Sequence, residues 1–185
     1  LKEEKMKEHF EIRYSAIGGQ GIITAGAILA EAIVHYENKY ATQSPTYTSQ
    51  VRGGPTKVDV IIDKNEIIYP YATAIDFYLS TGNNPFHLYL KDVKDDAIIV
   101  VDSNLVEDFD PKNWKVYRVP IIEATKREIG NIVVTSVVAL AITVKLTGII
   151  SEESLKKAVL RMAPKGTESM NLDAIRLGYQ LIEGK

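Results

Sequence analysis

At 185 residues, with 45% hydrophobic and 25% charged side chains, the chain suits one soluble domain with enough apolar material for a substantial core. A formal charge of −2 argues against a global electrostatic attraction to nucleic acid or anionic membrane, so neither is expected as a partner. The absence of cysteine excludes a disulfide framework and any thiolate ligand to zinc or an iron–sulfur cluster, and a cytoplasmic setting fits it.

Residues 1–9 open with a charged run, Leu1 to Glu8, that has no apolar signal-peptide core; they read as a ragged, solvated lead into a single domain over residues 10–185. Phe10 to Ile17 alternates like a strand, and Gly18-Gly19-Gln20-Gly21 follows as a tight loop. A helix is expected over Ile22 to Tyr36, with Ala25, Ile28, Leu29, Ala32 and Ile33 on its buried face. Small residues at Ala25 and Gly26 would let that helix lie close to a sheet.

The stretch from Lys39 to Pro55 is polar and irregular, with a short strand at Tyr40 to Gln43. Thr56 to Ile62 is the next strand, and the turn chemistry of Asp63-Lys64-Asn65 points to a hairpin with Glu66 to Tyr69 as its second arm. Ala74 to Leu79 is another strand. A helix should begin at Pro85 with Asn84 as its cap, placing Phe86, Tyr89, Leu90 and Val93 at helical spacing.

Ala97 to Val101 has the continuous apolar character of a strand buried on both faces, ending in Asp102-Ser103. Lys115 to Val119 is the last strand, and a short helix follows over Glu123 to Ile129. The apolar segment from Ile132 to Leu146 is about a turn short of the roughly 20 residues a membrane span needs and contains Lys145, so it reads as a buried core helix ending at Gly148. Ser151 should cap the next helix, and a final one is expected from about Leu172 to Glu183. The fold class is α/β: one three-layer domain with a mostly parallel central sheet, a flanking hairpin and helices on both faces.

The glycine loop ends a strand and opens a helix, so its backbone N–H groups and the helix dipole favour a phosphate or carboxylate. A dinucleotide fingerprint is incomplete, because Thr24 stands where the third glycine belongs and Glu37 comes too early to hold a ribose. No Gly-Lys-Ser or Gly-Lys-Thr completes a Walker loop. A plain tight βα turn needing positive φ and close backbone approach is the other reading of Gly18, Gly19 and Gly21, although three glycines in four residues exceed what an ordinary turn needs. Arg52-Gly53-Gly54 is a second candidate anion site, a guanidinium beside bare backbone amides, with polar Gln43 to Ser49 leading into it. His9, His35 and His87 lack metal-ligand spacing, there is no nucleophile elbow, and Asp102 reads as a helix cap. No residue is assigned a catalytic or metal-binding role.

The order Ile-Gly-Gly-Gln-Gly, Gly-Ala-Ile-Leu-Ala-Glu-Ala, Tyr-Ala-Thr-Gln-Ser, Arg-Gly-Gly-Pro and Ala-Ile-Ile-Val-Val-Asp-Ser, spread from Glu11 to Leu181, resembles the gamma subunit family of 2-oxoacid:ferredoxin oxidoreductases. Gln43-Ser44, a following tyrosine and Arg52-Gly53-Gly54 look most like its 2-oxoglutarate type. The resemblance implies a complex that decarboxylates a 2-oxoacid on thiamine diphosphate, reduces ferredoxin through iron–sulfur clusters and releases an acyl-CoA. It implies alpha, beta and ferredoxin-like delta partner subunits carrying thiamine diphosphate, magnesium and the clusters. This chain has no Gly-Asp-Gly segment and no cysteine, and is expected to be inactive alone. Its contribution would be a shared site where Gly18, Gly19, Gln20, Gly21, Tyr47, Arg52, Gly53 and Gly54 contact coenzyme A or close the thiamine site. Two alternatives stay open: an assembly subunit whose loops touch only partner chains, and a stand-alone nucleotide-binding oxidoreductase. A homodimer of the isolated chain also stays open.

Overall fold

In the computed structural model the described residues are 8–46 and 53–184. Six strands, β1 (His9–Ile17), β2 (Tyr40–Thr46), β3 (Pro55–Asp63), β4 (Ile75–Ser80), β5 (Val93–Asp102) and β6 (Lys115–Val119), form one sheet in the order β2-β3-β1-β4-β5-β6. The β1, β4, β5 and β6 strands run parallel, whereas β3 is antiparallel to both β1 and β2. The helices are α1 (Ile22–Tyr36), α2 (Asn83–Leu88), α3 (Ile121–Ile129), α4 (Thr135–Thr147), α5 (Glu152–Met162) and α6 (Glu168–Gln180), with a 3-10 turn at Ile132–Val134 leading into α4.

Period-two alternation sends Ile12, Tyr14 and Ala16 of β1, with Val58, Val60 and Ile62 of β3, to one face, where α1 and α3 to α6 cover them. The main core lies there. Its centre is α4, apolar on every side and buried from Thr135 to Val144, as a helix enclosed by others must be. Among the described residues no helix is long and apolar enough to cross a membrane.

The opposite face is covered unequally. Over β4 and β5, Tyr78, Ile99 and Val101 pack under α2 and the segment around Val106 and Trp114. Ala97 to Val101 is thus enclosed on both sides, as its apolar run implied. Over β1 and β3 the same face is polar: Glu11, Arg13, Ser15 and Asp59 are all at most 3% exposed. Arg13 Nε and Nη2 donate to the two Asp59 oxygens at 2.7 and 2.9 Å, and Nη1 donates to the Tyr89 and Lys91 carbonyls. Burial disfavours the Arg13 charge, but the Asp59 hydrogen bonds and field outweigh it and hold the guanidinium ionised.

Three local expectations are corrected. The second arm of the hairpin is β2 and not Glu66 to Tyr69, because β3 already has β2 on one side and β1 on the other. The Asp63 turn does form, with Asn65 N–H donating to Oδ1. Helix α2 stops at Leu88 and leaves Val93 to open β5, since Arg13 draws the Tyr89 and Lys91 carbonyls out of helical pairing. Helix α6 starts at Glu168, before Leu172, with Asn171 Nδ2 donating back to the Thr167 carbonyl and hydroxyl.

Candidate functional site

The chain leaves β1 toward α1 and the β2–β3 side of the sheet, and leaves β4 toward α2 and β5. The carboxyl ends of β1 and β4 therefore flank a topological switch point, where open α/β sheets bind ligands. The glycine loop occupies this position. Gly19 (φ 101°) and Gly21 (φ 70°) adopt left-handed backbone that side chains avoid, and an added Cβ at Gly19 would meet nothing within 4 Å. Conformation, not crowding, demands glycine there. The backbone it frees is open to a ligand.

Gly21 is the N-cap of α1, and no side chain caps this helix and no acid sits in its first turn, so the positive end of its dipole is not neutralised locally. Close approach matters at Gly26 instead: a Cβ there would sit 2.7 Å from a Val58 methyl, which explains how α1 lies tight against β3.

The two glycine loops meet. Gly18 N–H donates to the Gly54 carbonyl at 2.8 Å, continuing the β1–β3 ladder past Ile17 and Pro55. Gly53 (φ 82°) is exposed, with open space where a Cβ would stand. The structure thus brings Gly18, Gly19, Gln20, Gly21, Gly53 and Gly54 to one edge of the sheet. Tyr47 and Arg52 lie outside the described residues, although Arg52 is joined directly to Gly53.

Gln20 reaches across the switch point, its Oε1 accepting a 2.6 Å hydrogen bond from Thr81 Oγ1 at the end of β4. Thr81 is 1% exposed and its N–H donates to the Ser15 carbonyl. Beneath it, Ser15 Oγ donates to Ser80 Oγ, which donates to the Gly82 carbonyl, and Tyr78 Oη lies 2.7 Å from Ser15 Oγ. Burial pushes the Tyr78 phenol far above its ordinary range, so it stays a neutral hydrogen-bonding group. These hydroxyls were missed from sequence. Their trace is the polar alternation Glu11, Arg13, Ser15 along β1, which marks one strand face as polar without naming its partners.

Asp102, fully buried at the end of β5, accepts from Asn104 N–H and from Ile122 N–H in the first turn of α3, as the cap reading expected. No group of three or more metal-ligating side chains occurs among the described residues. A cleft of about 290 Å³ opens beside Gly21 between α1, the 3-10 turn, α4, α5 and α6, walled by Ile28, Val133, Val137 and Met162, with Thr24 and Asn171 as polar members.

The fold is that of a single α/β domain with two glycine loops at the switch point of its six-stranded sheet. Residues 11–181 match the family model of pyruvate ferredoxin/flavodoxin oxidoreductase. The chain is 36% identical over 183 residues to 2-oxoglutarate synthase subunit KorC of Methanocaldococcus jannaschii, covering 98% of both. It is 28% identical to pyruvate synthase subunit PorC of Methanothermobacter thermautotrophicus, covering 94% of this chain and 96% of that one. The gamma subunit of a keto/oxoacid ferredoxin oxidoreductase from Geobacter sulfurreducens superposes with a TM-score of 0.86 at 36% identity, over 95% of this chain and 97% of that one. The chain belongs to the pyruvate ferredoxin/flavodoxin oxidoreductase family, as a gamma-type subunit.

Proposed function

We propose that this chain is the gamma subunit of a thiamine diphosphate-dependent complex that oxidises a 2-oxoacid, 2-oxoglutarate by its likeness to the KorC chain, to an acyl-CoA with reduction of ferredoxin. Its own part is to present an anion-binding edge that contacts coenzyme A and closes the shared site, while alpha, beta and ferredoxin-like delta subunits hold thiamine diphosphate, magnesium and the iron–sulfur clusters. The observation that carries this reading is the Gly18 to Gly54 hydrogen bond, which makes one surface of two glycine loops. The chemistry of that surface fits coenzyme A. Uncapped amides at α1 and an arginine immediately before Gly53 in the sequence suit phosphate, and the apolar cleft beside Gly21 suits a less polar stretch of the same ligand.

The test is Arg52→Ala in the assembled complex, reading apparent KM for coenzyme A and for 2-oxoglutarate. A rise in either supports the proposal, and no change in both overturns it. A second reading, contact with a partner chain alone, is favoured by Ile132 and Val133, which are 52% and 72% exposed next to Gly21. Coenzyme A titration of the chain with and without its partners separates the two: a saturable response with partners that is weakened by Arg52→Ala excludes the purely structural role.

A further inference from the structure

We infer that Thr81 is a positioning residue that fixes the polarity of the glycine-loop site: its hydroxyl holds the Gln20 carboxamide by its oxygen, so that the Gln20 side chain offers donors to the loop's ligand. This inference rests on the reading of the glycine loops given above and names the chemistry they select. Oε1 of Gln20 carries no proton, so the Thr81 hydroxyl must donate in their 2.6 Å contact. With the oxygen engaged, Nε2 lies on the other branch of the planar amide, turned away from Thr81. Among the described residues Nε2 has no partner, and Gln20 is only half-buried. Its two N–H groups are therefore left for whatever enters the loop.

Thr81 is suited to this task because it cannot turn. It is 1% exposed, its N–H is bound to the Ser15 carbonyl at 3.1 Å, and the residues on each side are held through Ser80 Oγ and the Gly82 carbonyl. It sits on the opposite wall of the switch point from Gln20, and among the described residues its hydrogen bonds go to Gln20 and Ser15 and not to the glycine backbone. A site so polarised takes an acceptor oxygen, of a phosphate, a carboxylate or a carbonyl, and discriminates against a donor.

The experiment uses the assembled complex and reads KM and kcat for coenzyme A and for 2-oxoglutarate separately, which identifies the molecule that supplies the acceptor. Gln20→Ala and Thr81→Val are each expected to raise the same KM about five- to ten-fold, the scale of one net hydrogen bond, with kcat within about two-fold. Thr81→Ser keeps the hydroxyl and should restore KM, and Gln20→Ala with Thr81→Val should be no worse than Gln20→Ala alone. Gln20→Glu keeps an oxygen for Thr81 while replacing the outward donor by an acceptor, so its KM should exceed that of Gln20→Ala; it also serves should Thr81→Val fail to assemble.

An unchanged KM in Thr81→Val beside a raised one in Gln20→Ala overturns the inference, as does a Thr81→Val effect that persists in the Gln20→Ala background, or a Gln20→Glu no worse than Gln20→Ala. If Arg52→Ala raises a KM while neither Gln20→Ala nor Thr81→Val does, the positioning role falls and the proposed function stands. If all three leave both KM values unchanged, both fall.

Discussion

Gly178 is the point at which α6 lies tightest on the core. A Cβ added there would stand 2.6 Å from Ala141 Cβ, 2.6 Å from the Val138 carbonyl oxygen and 3.3 Å from the Ile142 amide nitrogen, all on α4. Carbon atoms in good contact sit about 3.5–4.0 Å apart, so Gly178→Ala must push the two helices apart by roughly 1 Å. Two effects oppose each other. Alanine gains ~1 kcal/mol over glycine in a helix interior. Overpacking costs ~1–3 kcal/mol and sometimes more, and the upper part applies because two of the three obstacles are backbone that has no other rotamer. The expected net loss is ~1–2 kcal/mol, which for a chain of this size lowers the thermal midpoint by roughly 2–8 °C. Gly26→Ala meets only methyl groups of Val58 and Val60, the nearest at 2.7 Å, and should lose less. Urea unfolding of both variants, with the m-value checked for constancy, gives the comparison. Adding Ala141→Gly should recover part of the Gly178→Ala loss but not all, because the Val138 carbonyl stays. A Gly178→Ala chain as stable as the parent would refute the packing argument.

Two further outcomes follow from buried and half-buried charge. Arg13→Met removes the guanidinium from Asp59 and from two carbonyls; with Lys57 Nζ still on Asp59, the expected cost is ~3 kcal/mol, the lower end for a broken buried pair, and Arg13→Met with Asp59→Leu should recover much of it in the same unfolding assay. Burial lowers the pKa of His9, but its contacts to Glu11 and Asp63, at 3.0 and 2.8 Å, outweigh that and leave it raised above 6.5. A raised folded-state value means this stabilisation is complete below about pH 6.5 and is lost as pH climbs through the folded value. Thermal midpoints of the parent and His9→Gln should therefore converge as pH rises from about 6.5 through the raised folded value, and a gap that widens toward alkaline pH would contradict the assignment.

The elements that periodicity describes were legible. The bounds of α1 coincide with those read from its apolar face, Lys115–Val119 is β6 as expected, Gly148 closes α4 at φ 61° and Ser151 caps α5 by accepting from Ser154 N–H. What failed depends on contacts between distant residues. Ile67, Ile68 and Tyr69 have strand-like composition, yet Ile68 is 93% exposed, because residues 40–46 and 9–17 occupy both edges of β3 and leave none for a local arm. The end of α2 is set by Arg13, some 75 residues earlier, and no local stop signal encodes it.

The site divides along the same line. Its glycines were visible because left-handed backbone, here at Gly19 and Gly21, leaves a compositional mark. The polarity of that backbone was not visible. It arises where β1 and β4 become neighbours, which sets Gln20 beside Thr81 across 61 residues of sequence. Parallel pairing needs a crossover, and here α1, β2 and β3 intervene, so the two halves of the switch point are necessarily far apart in the chain. A glycine loop alone leaves the backbone open to approach. The strand beside it supplies the partner that orients Gln20, a threonine at the end of β4, and it is on that contact that the proposed preference for an acceptor oxygen rests.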